Sequence, residues 1–183
     1  TAYEIVDCDW SSDVCSSDLN LYFVSSNKHK YQEVKQILEK FGIDVRFIQA
    51  KLLEIQSDSL SDIASAKALD AYSKCKRPLI IEDDALMVDS LGGFPGPYSS
   101  YVFDTLGNAG IVRLVKKKRN AKFYAAVSYC DKKRLPLVFE GTTPGKIAKK
   151  ISGEGWGYDP IFIPQGRTKT FAEISDKNTL SHR

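Results

Sequence analysis

The sequence predicts an α/β protein built on a mixed β-sheet. Three observations lead there. Apolar runs of strand length alternate with amphipathic helical segments in the first half of the chain. Later, two β-like runs flank a short polar turn, as the arms of an antiparallel hairpin do. No internal repeat and no linker interrupts residues 20–183, so a single domain is expected there.

The elements follow in order. Residues 1–19 include "SSDVCSSDL", in which one Ser-Ser-Asp triplet occurs twice without helix or strand period. They read as a non-native extension and are set aside. Leu21–Val24 is a buried strand, and Ser25, Ser26 and Asn27 supply turn and helix-cap chemistry. Val34, Ile37, Leu38 and Phe41 form the apolar stripe of a helix that Gly42 ends. Val45–Ile48 is a second strand. A helix from about Ser59 to Lys74 carries Leu60, Ile63, Ala64, Ala68 and Ala71 on its inner face. Lys67 falls on that face too, either as a packed stem or as a cation aimed at an anion.

Leu79–Ile81 reads as a buried strand ending, where the chain turns, in Glu82, Asp83 and Asp84. "LGGFPGPYSSY" (Leu91–Tyr101) is a defined loop, because two glycines and two prolines forbid a repeating backbone. "IVRLVKKKR" continues a helix to a basic, solvated end. "AKFYAAVSYC" and "LPLVFEG" are the hairpin arms, and "YDPIFIP" is a late strand.

Composition narrows the function. The chain has 183 residues and a formal net charge of +3, too weak a balance for a nucleic-acid protein but suited to a small anion. No run approaches the ~20 apolar residues of a membrane span. Four cysteines without a zinc spacing, and no secretory signal, place the chain in a reducing cytoplasm. Its two histidines, His29 and His182, exclude a His-rich metal site, leaving an oxygen-ligated ion such as Mg²⁺.

Two motifs are decoys. "GTTPGK" has one residue too few between its glycines for a phosphate loop, and Ile147 stands where a metal-binding hydroxyl belongs. "GEGWG" opens no βα unit. "SSNKHK" is better placed, since main-chain N–H groups at a helix start favour anions. A cationic pole (Lys30, Lys67, Lys177, Arg183) and an acidic pole (Glu54, Glu82, Asp83, Asp84) together suit a nucleoside triphosphate with Mg²⁺. Trp156 and Tyr158 offer rings to a base.

The order of "SSNKHK", "EIQ", "IIEDDAL", "LGGFPGPYSSY", "GWGYDPIF", "FAEIS" and "KNTLSHR" resembles the inosine triphosphate pyrophosphatase family, also called Ham1-like, over nearly all of Leu21–Arg183. The resemblance implies an elongated mixed sheet with flanking helices, its two lobes around a central cleft, and a homodimer. It implies Mg²⁺-dependent cleavage of ITP, dITP and XTP to the monophosphate and pyrophosphate, which cleanses the nucleotide pool. By matching positions, Ser25, Asn27, Lys30 and Lys67 bind the triphosphate, and Asp84 contacts substrate. Glu54 and Asp83 ligate the metal with help from Glu82, and Asp83 is the general base. Trp156, Gly157, Tyr158, Asp159, Lys177, His182 and Arg183 recognise the base.

Three departures from the family pattern stand out. The first loop reads S-S-N where the family has T-G-N, Ser100 stands where some members carry lysine, and the usual helix after S-H-R is expected to be truncated. The competing readings are a Maf-like pyrophosphatase and a non-catalytic nucleotide or RNA binder.

Overall fold

The structure, a computed structural model, describes residues 21–182. The expected extension over residues 1–19 and the site residue Arg183 lie outside that range.

The first two strands, β1 (Leu21–Ser25) and β2 (Val45–Gln49), pair in parallel, with α1 (Lys28–Glu39) between them. Asn27 caps α1, its side-chain oxygen accepting the N–H groups of His29 and Lys30. The predicted stripe on α1 stops one turn early. Val34 is buried, but the helix ends at Glu39 and Phe41 is 73% exposed in the following turn. The Lys40, Phe41 and Gly42 N–H groups bond back to Ile37, Leu38 and Glu39, so the chain turns before Phe41 can face the sheet.

α2 (Leu60–Cys75) matches its predicted stripe. Leu60, Ile63, Ala64, Ala68 and Ala71 are all buried, and Ser59 caps the helix by accepting from Asp62 N–H. The alanines let the helix lie close to the strands below it. Ala68 and Ala71 pack with Val24, Leu79 and Ile81, whereas Val34 of α1 packs with Phe23, Val45 and Ile80 on the other face. Neighbouring strand residues thus face opposite helices, as the two-residue period of a strand requires.

β3 (Leu79–Val88) differs most from expectation. The three acids do not end it. It pairs antiparallel with β5 (Asn120–Asp131) from Leu79–Cys130 to Val88–Ala121, straight through Glu82, Asp83 and Asp84. Ala85, Leu86 and Val88 are buried beyond the acids, so burial on both sides holds the acidic residues in strand geometry.

The "LGGFPGPYSSY" stretch is only partly loop. A short 3₁₀ turn (Asp89–Leu91) leads to β4 (Pro95–Gly96) on β3, and α3 (Ser99–Leu114) starts inside the motif. Helix α3 ends at Leu114, before the basic run. Lys116, Lys117 and Lys118 are exposed after it, while Arg119 donates to the carbonyls of Val115, Ile147 and Ala148. The last cation of the run therefore ties a chain reversal together instead of facing a helix dipole.

β5 and β6 (Arg134–Ile147) form the expected hairpin, and β7 (Phe162–Pro164) pairs with β6. The seven-stranded sheet runs β2-β1-β3-β5-β6-β7, with β4 on β3. It is mixed, as expected: parallel at the β1 end and antiparallel from β3 onward. The glycines of "GTTPGK" lie in β6 and serve close approach. A Cβ at Gly141 would sit 2.1 Å from the His182 carbonyl oxygen, and one at Gly145 would meet the Phe162 ring at 2.6 Å. Near its end the chain forms α4 (Lys177–Leu180) and crosses β6, where Thr143 donates to the Leu180 carbonyl. No described helix is long and apolar enough to cross a membrane.

Candidate active site

A cavity of 930 Å³ opens where β1, α1, the β2–α2 loop, β3 and the segment between β6 and β7 meet. That volume lies within the roughly 300–1,000 Å³ of small-molecule sites. A smaller hollow of 310 Å³ beside β6 and β7, lined by residues such as Thr143 and Gln165, holds no charged side chain.

The acids of β3 divide between the two faces of the strand. Asp83 shares the α2 face with Leu79 and Ile81, and Lys67 of α2 meets it there. The Lys67 ammonium lies 2.7 Å from Asp83 Oδ1 and 2.7 Å from Glu54 Oε1. Two carboxylates from distant chain segments thus converge on one cation. Glu54 is 65% exposed on the β2–α2 loop, whereas Asp83 is 13% exposed. Asp83 Oδ2 is buried without a hydrogen-bond partner among the described residues.

Glu82 and Asp84 point to the α1 face. There the Lys30 ammonium lies 3.1 Å from Glu82 Oε2 and 3.0 Å from Asp84 Oδ1. His182 Nε2 is 3.6 Å from Asp84 Oδ2, and its ring stacks on Phe123 at 4.7 Å. Ligand atoms of Glu82, Asp84 and His182 lie within 4.8 Å of one another. The expected metal set of Glu54, Asp83 and Glu82 is therefore not brought together. Strand alternation sends Glu82 to the other face, into a separate cluster.

The two clusters differ in what they can hold. A magnesium ion usually keeps several waters and takes only one or two carboxylates. Glu54 and Asp83, open to solvent through Glu54, fit that demand, and the bridging ammonium already marks a cation position between them. Around Glu82 the side chains of Glu82 and His182 are 0% and 2% exposed, which leaves little place for a hydrated ion.

The expected poles are not segregated. Each lysine of the supposed cationic pole sits among carboxylates, because an uncompensated charge at the cavity wall would be costly. Lys177 Nζ lies 2.5 Å from Glu33 Oε1 and 2.7 Å from Asp159 Oδ2. The Trp156 indole N–H donates to the same Glu33 oxygen, and its ring stacks against His29 at 5.8 Å. Gly157 offers its carbonyl to Asn108. Tyr158 is only 5% exposed and donates to the Ser99 carbonyl. Burial pushes its hydroxyl well above the usual phenol range, so it stays a donor, and its ring is a core wall rather than a free stacking face.

In the first loop, Ser25 Oγ accepts the Asn27 N–H and Asn27 caps α1, so both organise the helix start that faces the cavity. Three contributors were not read from the sequence. Glu33 could have been found, because it lies three residues past Lys30 and so on the same face of α1. Ser99, whose Oγ accepts Leu86 N–H and donates to the Gly96 carbonyl, and Phe123 under His182 gave no local signal.

The model of the Ham1 family matches residues 21–183. The chain is 45% identical over 170 residues to a dITP/XTP pyrophosphatase of Methanopyrus kandleri, covering 90% of each chain. It is 44% identical to a dITP/XTP pyrophosphatase of Hyperthermus butylicus, covering 89% of this chain and 88% of that one. Among solved structures, a HAM1 protein from Coxiella burnetii superposes with a TM-score of 0.76 at 26% identity, covering 91% of this chain and 93% of that one. With the family match spanning every described residue and close relatives aligned over nine-tenths of their length, the chain belongs to the Ham1 family.

Proposed function

We propose that this protein is a nucleoside-triphosphate pyrophosphatase acting on dITP and XTP, and on ITP by the same base chemistry. The observation that carries the reading is the convergence of Glu54 and Asp83 on one cation position at the wall of the large cavity. The activity of the relatives supports it.

In this reading Glu54 and Asp83 hold Mg²⁺, which when bound would neutralise phosphate charge. Ser25, Asn27 and the start of α1 present main-chain donors to the triphosphate. Lys67 exchanges carboxylate partners for phosphate oxygens, and Lys30 adds a second positive charge to the triphosphate end of the cavity. Asp83 Oδ2, buried and without a partner among the described residues, accepts the proton of the attacking water. The water oxygen bonds to the α-phosphorus, the bond from that phosphorus to the bridging oxygen breaks, and pyrophosphate leaves. Glu82 and Asp84 hold Lys30 in place from the opposite face of β3.

Trp156, Gly157, Asp159, Lys177 and His182 form the base end, together with Arg183. A donor aimed at the 6-oxo group favours hypoxanthine and xanthine, since adenine would leave that donor unpaired. Guanine also carries the 6-oxo group, so its exclusion acts at the 2-position. A cytoplasmic homodimer belongs to the same reading, and sedimentation of the purified chain checks the dimer.

The deciding experiment is pyrophosphate release from ITP, XTP, dITP, GTP, ATP, UTP and CTP with Mg²⁺, for the wild type and Asp83→Asn. Fast turnover of the first three and a near-inactive variant are expected. A folded wild type that releases pyrophosphate from none of them overturns the proposal. Preference for pyrimidine triphosphates would support the Maf-like alternative, and salt-dependent RNA binding without turnover the binder.

A further inference from the structure

Glu54 has an unusual support. Residues 50–59, which link β2 to α2, contain no helix or strand. Leu52 packs partly against the cluster under α2, so the loop is anchored beside Glu54. Leu53 is 66% exposed and Glu54 side chain 65% exposed, so burial does not fix the direction in which Glu54 leaves the chain. Only one hydrogen bond among the described residues reaches the main chain of residues 51–56. The Leu53 N–H donates to Asp70 Oδ2 at 2.9 Å.

Asp70 lies on α2 three residues after Lys67, and therefore on the same side of the helix. One turn of α2 thus carries the ammonium between Glu54 and Asp83 and the carboxylate that holds the Glu54 loop. Asp70 Oδ2 also meets Lys74 Nζ at 2.7 Å. A plain helix-surface pair of this kind contributes little and would not reach Glu54.

We propose that Asp70 is a positioning residue for the metal site: by holding the Leu53 main chain, it sets the Glu54 carboxylate against Asp83 so that the two share one divalent cation. The inference rests on the reading of Glu54 and Asp83 as metal ligands. Asp70 itself touches neither the cation position nor the space for substrate.

The test uses the full chain and three variants. Asp70→Ala removes the tether. Asp70→Asn keeps a carbonyl acceptor for Leu53 N–H. Lys74→Met removes the ion pair and leaves the tether. Hydrogen–deuterium exchange of residues 51–56 is read without metal, Mg²⁺ binding by calorimetry without nucleotide, and pyrophosphate release across a Mg²⁺ series.

For Asp70→Ala, faster exchange confined to residues 51–56 is expected. Mg²⁺ affinity should fall roughly 10-fold, the lower end for loss of a group that orients a metal ligand. Turnover at saturating Mg²⁺ should stay near that of the wild type. Asp70→Asn should recover most of the affinity, and Lys74→Met should match the wild type in all three. Unchanged exchange and Mg²⁺ affinity in folded Asp70→Ala overturn the inference. So does a Lys74→Met variant that reproduces the full Asp70→Ala effect, because the ion pair would then be the cause. If Asp70→Ala does not fold, Leu53→Pro, which removes the donor N–H at an exposed position and leaves α2 intact, takes its place with the same expected and overturning results. A wild type that binds Mg²⁺ but releases no pyrophosphate refutes the proposed reaction, while exchange and calorimetry still judge the tether.

Discussion

The two faces of β3 carry the same chemistry in different surroundings. On each, a carboxylate of the strand meets a lysine from the helix that covers that face: Asp83 with Lys67 of α2, Glu82 and Asp84 with Lys30 of α1. On the α2 face the second carboxylate, Glu54, comes from an exposed loop. On the α1 face the group is closed by Glu82, with a fully buried side chain, and by His182 stacked on Phe123. Adjacent acids one residue apart can therefore differ in role, one open to a hydrated cation and the other bound into the wall that supports it.

The contrast can be broken most directly at Asp83. On the proposed reading, Asp83→Asn removes the proton acceptor and a metal ligand while keeping the shape. Pyrophosphate release should fall about 1,000-fold, as for loss of a general base, with the melting temperature nearly unchanged. Unaltered turnover would place the chemistry elsewhere.

The α1 face should respond in stability. Lys30→Met leaves Glu82 and Asp84 facing each other in a buried setting, and unfolding in urea should show a loss of about 3 kcal/mol. Lys67→Met should cost less, about 1–2 kcal/mol, because Glu54 can turn to solvent and only Asp83 is left without its ammonium. Equal losses from the two variants would erase the distinction between the faces.

Tyr158→Phe tests the cavity wall beyond the acids. It deprives the Ser99 carbonyl of its donor and should cost about 1 kcal/mol in the same assay.

The smallest effect lies at Asp70. Its hydrogen bond from Lys74, above all, holds its carboxyl below the usual range, with the Leu53 N–H adding to the shift. A lowered folded-state value means that its contribution is present above the unfolded pKa of about 4 and disappears as pH falls through the lower folded value. The stability difference between wild type and Asp70→Asn should be a few tenths of a kcal/mol at pH 7 and shrink as pH falls below about 4. A difference that grew on acidification would contradict that sign.

Much of this protein was legible in one dimension. Helical spacing located the buried face of α2 and put Lys67 on it, because a 3.6-residue period is set by local backbone geometry. Asn27 was legible as a cap for the same local reason, and the hairpin from its two apolar runs. The motif order pointed to the family before any contact was known. What needed the tertiary structure was every decision made by a distant partner. Pairing with β5 keeps three like-charged residues inside β3, where charge alone argued for a turn. Strand alternation then separates Glu82 from Asp83, and only the helices packed on each face say which lysine each acid meets. Glu33 reaches Trp156 and Lys177 across more than 120 residues of chain, and Asp70 reaches Leu53 across a loop. Period and capping are properties of a few neighbouring residues. Which carboxylates share a cation depends on the long-range packing that brings them together.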